Sequence, residues 1–149
     1  MNKKRILFID DEPFFAEPYI QELEKSFEVI LEETAIGAID SVNSDRKWDT
    51  VILDIMMPSP ENKNGITADG LDTGLWIVGE ILNAILAQNT PLIIFTNRNI
   101  PRIQEFVDGL DNENDIPPGL IAIRSKIETP RFILPRIVKS AVDRFRPVT

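Results

Sequence analysis

Apolar residues in the 149-residue chain gather into five short runs, at positions 6–9, 27–31, 51–53, 92–95 and 120–123. The runs are continuous rather than alternating, with 27–31 interrupted only by Glu28, the pattern of strands buried on both faces of a parallel sheet. Between the runs the spacing changes to that of amphipathic helices. Phe15, Tyr19, Ile20 and Leu23 share one stripe, and Ala35, Ile39 and Val42 a second. Leu75, Val78, Leu82, Ile85 and Leu86 form the clearest, and Ile103, Phe106, Val107 and Leu110 predict a fourth helix. Ile133, Leu134, Ile137, Val138, Ala141, Val142 and Phe145 predict the last, with Pro135 in or near its first turn. Pro18 leaves the start of the first helix open.

Strand and helix therefore alternate five times, and right-handed crossovers place helices on both faces of the sheet. The expected fold is α/β, a doubly wound five-stranded parallel sheet forming one domain over residues 1–149. Only 146–149 follow the last stripe, so no output domain is expected. Two connections read as long loops. One is 59–73, with Pro60, Gly65 and Gly70; the other is 108–119, with Asp108, Asp111, Glu113, Asp115 and Pro117-Pro118. Connections in such units usually run about 2–6 residues, and longer ones tend to carry function or to move.

Composition narrows the chemistry. The chain has no cysteine and no histidine, which removes disulfides, thiolate catalysis, Ser-His-Asp arrangements and the usual transition-metal ligands. Carboxylates, hydroxyls, lysine and arginine remain, so any metal is expected to be a hard cation held by oxygen, such as Mg²⁺. The net charge of −8 argues against nucleic acid as a partner. Charge is uneven, however: 124–146 carries Arg124, Lys126, Arg131, Arg136, Lys139, Arg144 and Arg146 against Glu128 and Asp143. That stretch is either a solvated helix face or a docking surface for an acidic partner or a second copy. The first apolar run stops at Asp10, too short for a signal-peptide core, and no later run reaches membrane-spanning length. A cytoplasmic protein without a membrane segment is expected.

In a doubly wound sheet, ligands bind beyond the carboxyl ends of the strands. The first run ends at Asp10-Asp11, the third at Asp54 and the fourth at Thr96, while Lys126 follows the fifth. Taken singly, each has an ordinary explanation: a helix cap for Asp10 or Asp11, a turn residue for Asp54, a strand hydroxyl for Thr96, a surface charge for Lys126. Jointly they converge on one edge of the sheet. Three carboxylates placed close together raise one another's pKa unless a cation sits among them. A carboxylate beside Mg²⁺ can act as the nucleophile in phosphoryl transfer, with a lysine and a hydroxyl neutralising the remaining phosphoryl oxygens.

The stretch Ile6-Leu7-Phe8-Ile9-Asp10-Asp11-Glu12-Pro13 resembles the opening strand and acidic pair of response-regulator receiver domains. Val51-Ile52-Leu53-Asp54-Ile55-Met56-Met57-Pro58 is similar to their phosphoacceptor strand and proline turn. The resemblance covers almost the whole chain. It implies a stand-alone signalling switch in which Asp54 accepts the phosphoryl group, Asp11 binds Mg²⁺ directly and Asp10 does so through water. The Met56 backbone carbonyl completes the protein ligands, Thr96 is the switch hydroxyl, and Lys126 bonds the acyl phosphate. The implied partners are a histidine kinase or phosphotransfer protein and a downstream effector, with a homodimer through the last helix as a further option. Such a domain catalyses only its own phosphorylation and dephosphorylation.

Four positions depart from the receiver pattern. Ile127 follows Lys126 where the family usually has a proline in a cis bond that fixes the lysine's loop, and Asn97 and Arg98 follow Thr96 where a small residue is typical. Ile123 stands where a rotating tyrosine or phenylalanine is usual. The segment after Pro58 is much longer than the usual proline-to-glycine turn if Gly74 is that glycine's counterpart. These departures keep a second reading open, a phosphorylation-independent pseudo-receiver acting as a protein-interaction module. A phosphatase of the haloacid-dehalogenase type would need Asp-x-Asp after the first strand, and Asp10-Asp11-Glu12-Pro13 lacks that spacing.

Overall fold

The computed structural model describes residues 3–58 and 70–145. Its elements are β1 (Lys4–Ile9), α1 (Pro13–Glu24), β2 (Phe27–Glu32), α2 (Ala35–Asn43), β3 (Thr50–Asp54) and α3 (Leu71–Gln88), followed by β4 (Leu92–Thr96), α4 (Ile100–Asn114), β5 (Ile121–Ser125) and α5 (Leu134–Phe145). The five strands form one sheet in the order β2-β1-β3-β4-β5, every pairing parallel. This is the doubly wound α/β sheet expected from the apolar runs.

Side chains on a strand alternate between faces, so each continuous run feeds two cores. Leu7, Ile9, Val51, Leu53, Leu92 and Ile94 join the core under α2, α3 and α4. Ile6, Phe8, Ile52, Ile93 and Phe95 join the core under α1 and α5, where Ala16, Leu23, Leu134, Val138 and Val142 meet them. Both cores depend on the central strands β1, β3 and β4, which explains why those runs admit no polar interruption. The edge strand β5 is only half-buried.

The helices begin and end where local chemistry allows. Helix α1 opens on Pro13 and contains Pro18 in its interior, so the start that Pro18 obscured lies five residues upstream of it. Phe15 does not belong to the core stripe expected for this helix; its side chain is 66% exposed. Thr34 caps α2 by accepting from the Gly37 amide at 3.0 Å. Helix α5 starts at Leu134, one residue later than the stripe suggested, with Ile133 outside it and Pro135 in its first turn.

Two expected loops are corrected. Helix α4 continues to Asn114, so Asp108, Asp111 and Glu113 lie on a helix rather than in a 108–119 loop. The turn is made by Asp115 in the left-handed region, and the Asp111 carboxylate accepts from the Ile116 amide at 2.9 Å. Helix α3 starts at Leu71, which takes Leu71–Thr73 out of the expected 59–73 loop, whose positions 59–69 lie outside the described residues. The ends of that stretch meet: the Met57 amide donates to the Gly70 carbonyl at 3.2 Å. Gly70 sits at φ +81° against the Met57 backbone, and at Gly74 a Cβ would overlap the Ile55 carbonyl oxygen. Glycine is therefore required at both positions, in one by conformation and in the other by contact.

Candidate functional site

The order β2-β1-β3 reverses direction between β1 and β3, and the crevice beyond their carboxyl ends is where such sheets bind ligands. The Asp10 amide extends the β1–β2 ladder by donating to the Glu32 carbonyl at 3.0 Å, which fixes Asp10 at the mouth of the crevice. Asp11 follows before α1 begins. Asp54 is the last residue of β3 and lies opposite Phe95 of β4. Asp10, Asp11 and Asp54 can each bring a carboxylate oxygen within 4.8 Å of the other two.

Asp10 and Asp54 each serve their own loop as well as the site. Asp10 Oδ1 accepts from the Glu12 amide at 2.8 Å, and Asp54 Oδ1 accepts from the Met56 amide at 3.1 Å. The ordinary cap and turn roles are thus present together with the clustering. Lys126 Nζ reaches Asp54 Oδ2 at 3.0 Å, a charge-assisted hydrogen bond between two largely enclosed side chains. The ammonium also stands 5.7 Å from the centre of the Phe95 ring, which in turn meets Tyr19 edge-on at 5.0 Å.

Electrostatics reflect the crowding. Burial, reinforced by the neighbouring Asp54 and Asp11 carboxylates, pushes Asp10 up to about 6, although the Glu12 amide and Lys126 oppose the shift. Asp11 is also raised, first by burial and then by Glu12. Asp11 Oδ1 is buried without a hydrogen-bond partner among the described residues. A desolvated carboxylate oxygen without a donor is unfavourable, and a cation relieves it. The donors are all oxygens, so the residues present fit a hard divalent cation such as Mg²⁺.

Thr96 ends β4, and its hydroxyl is engaged within its own turn. It accepts from the Arg98 amide at 3.1 Å and lies 3.2 Å from the Arg98 carbonyl. Asp10, Asp54 and Lys126 line an open cleft of about 400 Å³ together with Glu12, Phe15, Tyr19, Asn97 and Ile127; Thr96 and Asp11 are not among its lining residues. Phe15, Tyr19, Phe95 and Asn97 are the contributors that strand-end reasoning missed. Phe95 carried a signal as the last apolar residue before Thr96, and Asn97 one as a departure from the receiver pattern. The rest come from a helix stripe, where sequence spacing does not report proximity.

No family model matches the chain, and no curated relative matches it. Solved structures do. A CheY-like response regulator receiver domain protein from Methanospirillum hungatei is 19% identical, with 96% of each chain covered and a TM-score of 0.70. A response regulator receiver protein from Sinorhizobium medicae is 18% identical, with 95% of each covered and a TM-score of 0.66. A DrrB receiver domain in a BeF3-activated form is 19% identical over 95% of this chain and 99% of that one, at a TM-score of 0.64. The fold is therefore that of CheY-like receiver domains, over essentially the whole chain.

Proposed function

We propose that this chain is a Mg²⁺-dependent phosphoacceptor switch that receives a phosphoryl group on Asp54 from a histidine kinase or phosphotransfer protein. The observation that carries the reading is the Lys126–Asp54 contact at 3.0 Å beside the Asp10-Asp11-Asp54 cluster. The receiver fold of its structural neighbours supports it.

An Asp54 carboxylate oxygen attacks phosphorus, the P–N bond of a phosphohistidine breaks, and the departing imidazole nitrogen takes a proton from solvent. The donor must be another protein, because this chain has no histidine. Lys126 changes partner from the Asp54 carboxylate to a phosphoryl oxygen. Thr96 supplies a hydrogen bond once its hydroxyl leaves Arg98. Asp11 would hold the metal directly and Asp10 through water, with the Met56 carbonyl completing the set. When bound, Mg²⁺ would supply neutralisation of the phosphoryl group's negative charge, in addition to that from Lys126. Water attacking the aspartyl phosphate at phosphorus releases inorganic phosphate and restores the carboxylate, so the domain acts only on its own modification. Exposed Phe15 and Ile127 line the cleft and suit docking of the donor, and the basic α5 suits an acidic effector or a second copy. No helix among the described residues is long and apolar enough to cross a membrane, in keeping with a cytoplasmic switch.

A constitutive interaction module is the second reading. The observations that favour it are the Thr96 hydroxyl already committed to Arg98 and the absence of a ring at Ile123. Acetyl phosphate with Mg²⁺ separates the two. Wild-type protein is expected to gain a hydroxylamine-labile phosphoryl group, and Asp54→Asn to gain none. Wild-type labelling retained in Asp54→Asn would discard the assignment, and an unlabelled wild type would favour the constitutive module.

A further inference from the structure

The loop after β5 carries Lys126, and its next buried side chain is that of Thr129, three residues on. Ile127 is 79% exposed, so burial does not fix the chain at that point. Lysine itself has a flexible stem that offers no orientation of its own. The Thr129 amide closes the turn on the Lys126 carbonyl at 3.4 Å, and two backbone donors tie the turn to the end of β4. The Lys126 amide donates to the Thr96 carbonyl at 2.9 Å, extending the β4–β5 ladder by one step. The Ile127 amide donates to Asn97 Oδ1, also at 2.9 Å, across thirty positions of sequence.

We infer that Asn97 is a positioning residue that clamps the loop bearing Lys126 to the turn after β4 and so holds the ammonium against Asp54; the inference rests on Asp54 being the acceptor. The acceptor side of the clamp is itself braced, because the Thr96 hydroxyl binds the Arg98 backbone on the far side of Asn97. Two departures from the receiver pattern become one device. A proline at 127 would stiffen the loop but has no N–H, whereas Ile127 supplies the N–H that the carboxamide of Asn97 requires. Asn97 lies at the same cleft as Asp54 and Lys126, so the clamp acts at the reacting edge of the sheet. A rearrangement of Thr96 also reaches the exposed loop through it, without any aromatic relay.

Amide exchange by NMR and acetyl phosphate labelling with Mg²⁺, on Asn97→Ala and Ile127→Pro in wild-type and Lys126→Ala backgrounds, test the clamp. In Asn97→Ala the Ile127 amide is expected to lose protection by about tenfold or more, while the Lys126 amide, bonded to Thr96, keeps its own. The labelling rate is expected to fall about tenfold, since the lysine is present but less well held. Combining Asn97→Ala with Ile127→Pro is expected to slow labelling no further than the more severe single change. In the Lys126→Ala background Asn97→Ala is expected to have no additional effect, which a general structural role would not produce. Unchanged Ile127 protection, an unchanged rate, or the same fall without Lys126 would each overturn the inference. An unlabelled wild type would instead fail the acceptor reading, and Ile127 exchange would then decide the clamp alone.

Discussion

At Asp10 the metal-free protein carries an electrostatic burden that titration exposes. Its folded pKa of about 6 lies above the ordinary carboxylate value of 3.8. Between those two pH values the folded state holds more protons than the unfolded chain, so this residue's contribution to stability falls as pH rises through the window. The full span corresponds to about 3 kcal/mol of destabilisation at neutral pH. Asn at this position keeps an acceptor for the Glu12 amide and removes the charge. Without metal, Asp10→Asn is therefore expected to be more stable than wild type at pH 7.5 by up to about 3 kcal/mol, with the gap closing near pH 4. Urea unfolding at several pH values measures it. A gap independent of pH would mean that the charge of Asp10 is not what destabilises the fold.

Elements were legible from sequence where burial on both sides dictated composition, and less so where single side chains set a boundary. β1, β3 and β4 serve two cores at once, so their runs are unbroken and could not be mistaken. The end of α4 was misread because Asp108, Asp111 and Glu113 look like loop residues. A stripe of Ile103, Phe106, Val107 and Leu110 carries the helix past Asp108, and Asp111, on the helix's last turn, ties down the Ile116 amide. That Asp10, Asp11, Asp54, Thr96 and Lys126 come to one rim was legible because strand ends converge whatever the loops do. Asn97 was visible only as a departure from a pattern, since its partner lies on a different loop. The clearest element-level test is the seat of α3 on β3. Gly74→Ala forces a methyl onto the Ile55 carbonyl, immediately after Asp54. It is expected to destabilise the fold by about 2–4 kcal/mol through displaced backbone. Denaturant unfolding would show this, and a loss below about 0.5 kcal/mol, the scale of an ordinary surface change, would contradict the close seating of the helix.

On the scale of the whole molecule, the sheet brings the candidate site residues to one rim. The hydrogen bond from the Met57 amide to the Gly70 carbonyl lies at that rim, three residues beyond Asp54. It makes positions 57 and 70 a splice junction, where the chain departs and returns at nearly the same place. Loop-closure entropy changes by only about 0.6 kcal/mol for each doubling of length, so the fold is nearly indifferent to how much is inserted there. Replacing 59–69 by a short polar turn is expected to change unfolding free energy by less than about 1 kcal/mol and to leave Mg²⁺ affinity intact, as urea unfolding and metal titration would show. A large loss of either would mean that the insert supports the sheet rim directly. With the junction intact, exchanging the segment as a cassette would place new partner chemistry beside Asp54 without redesigning the candidate site.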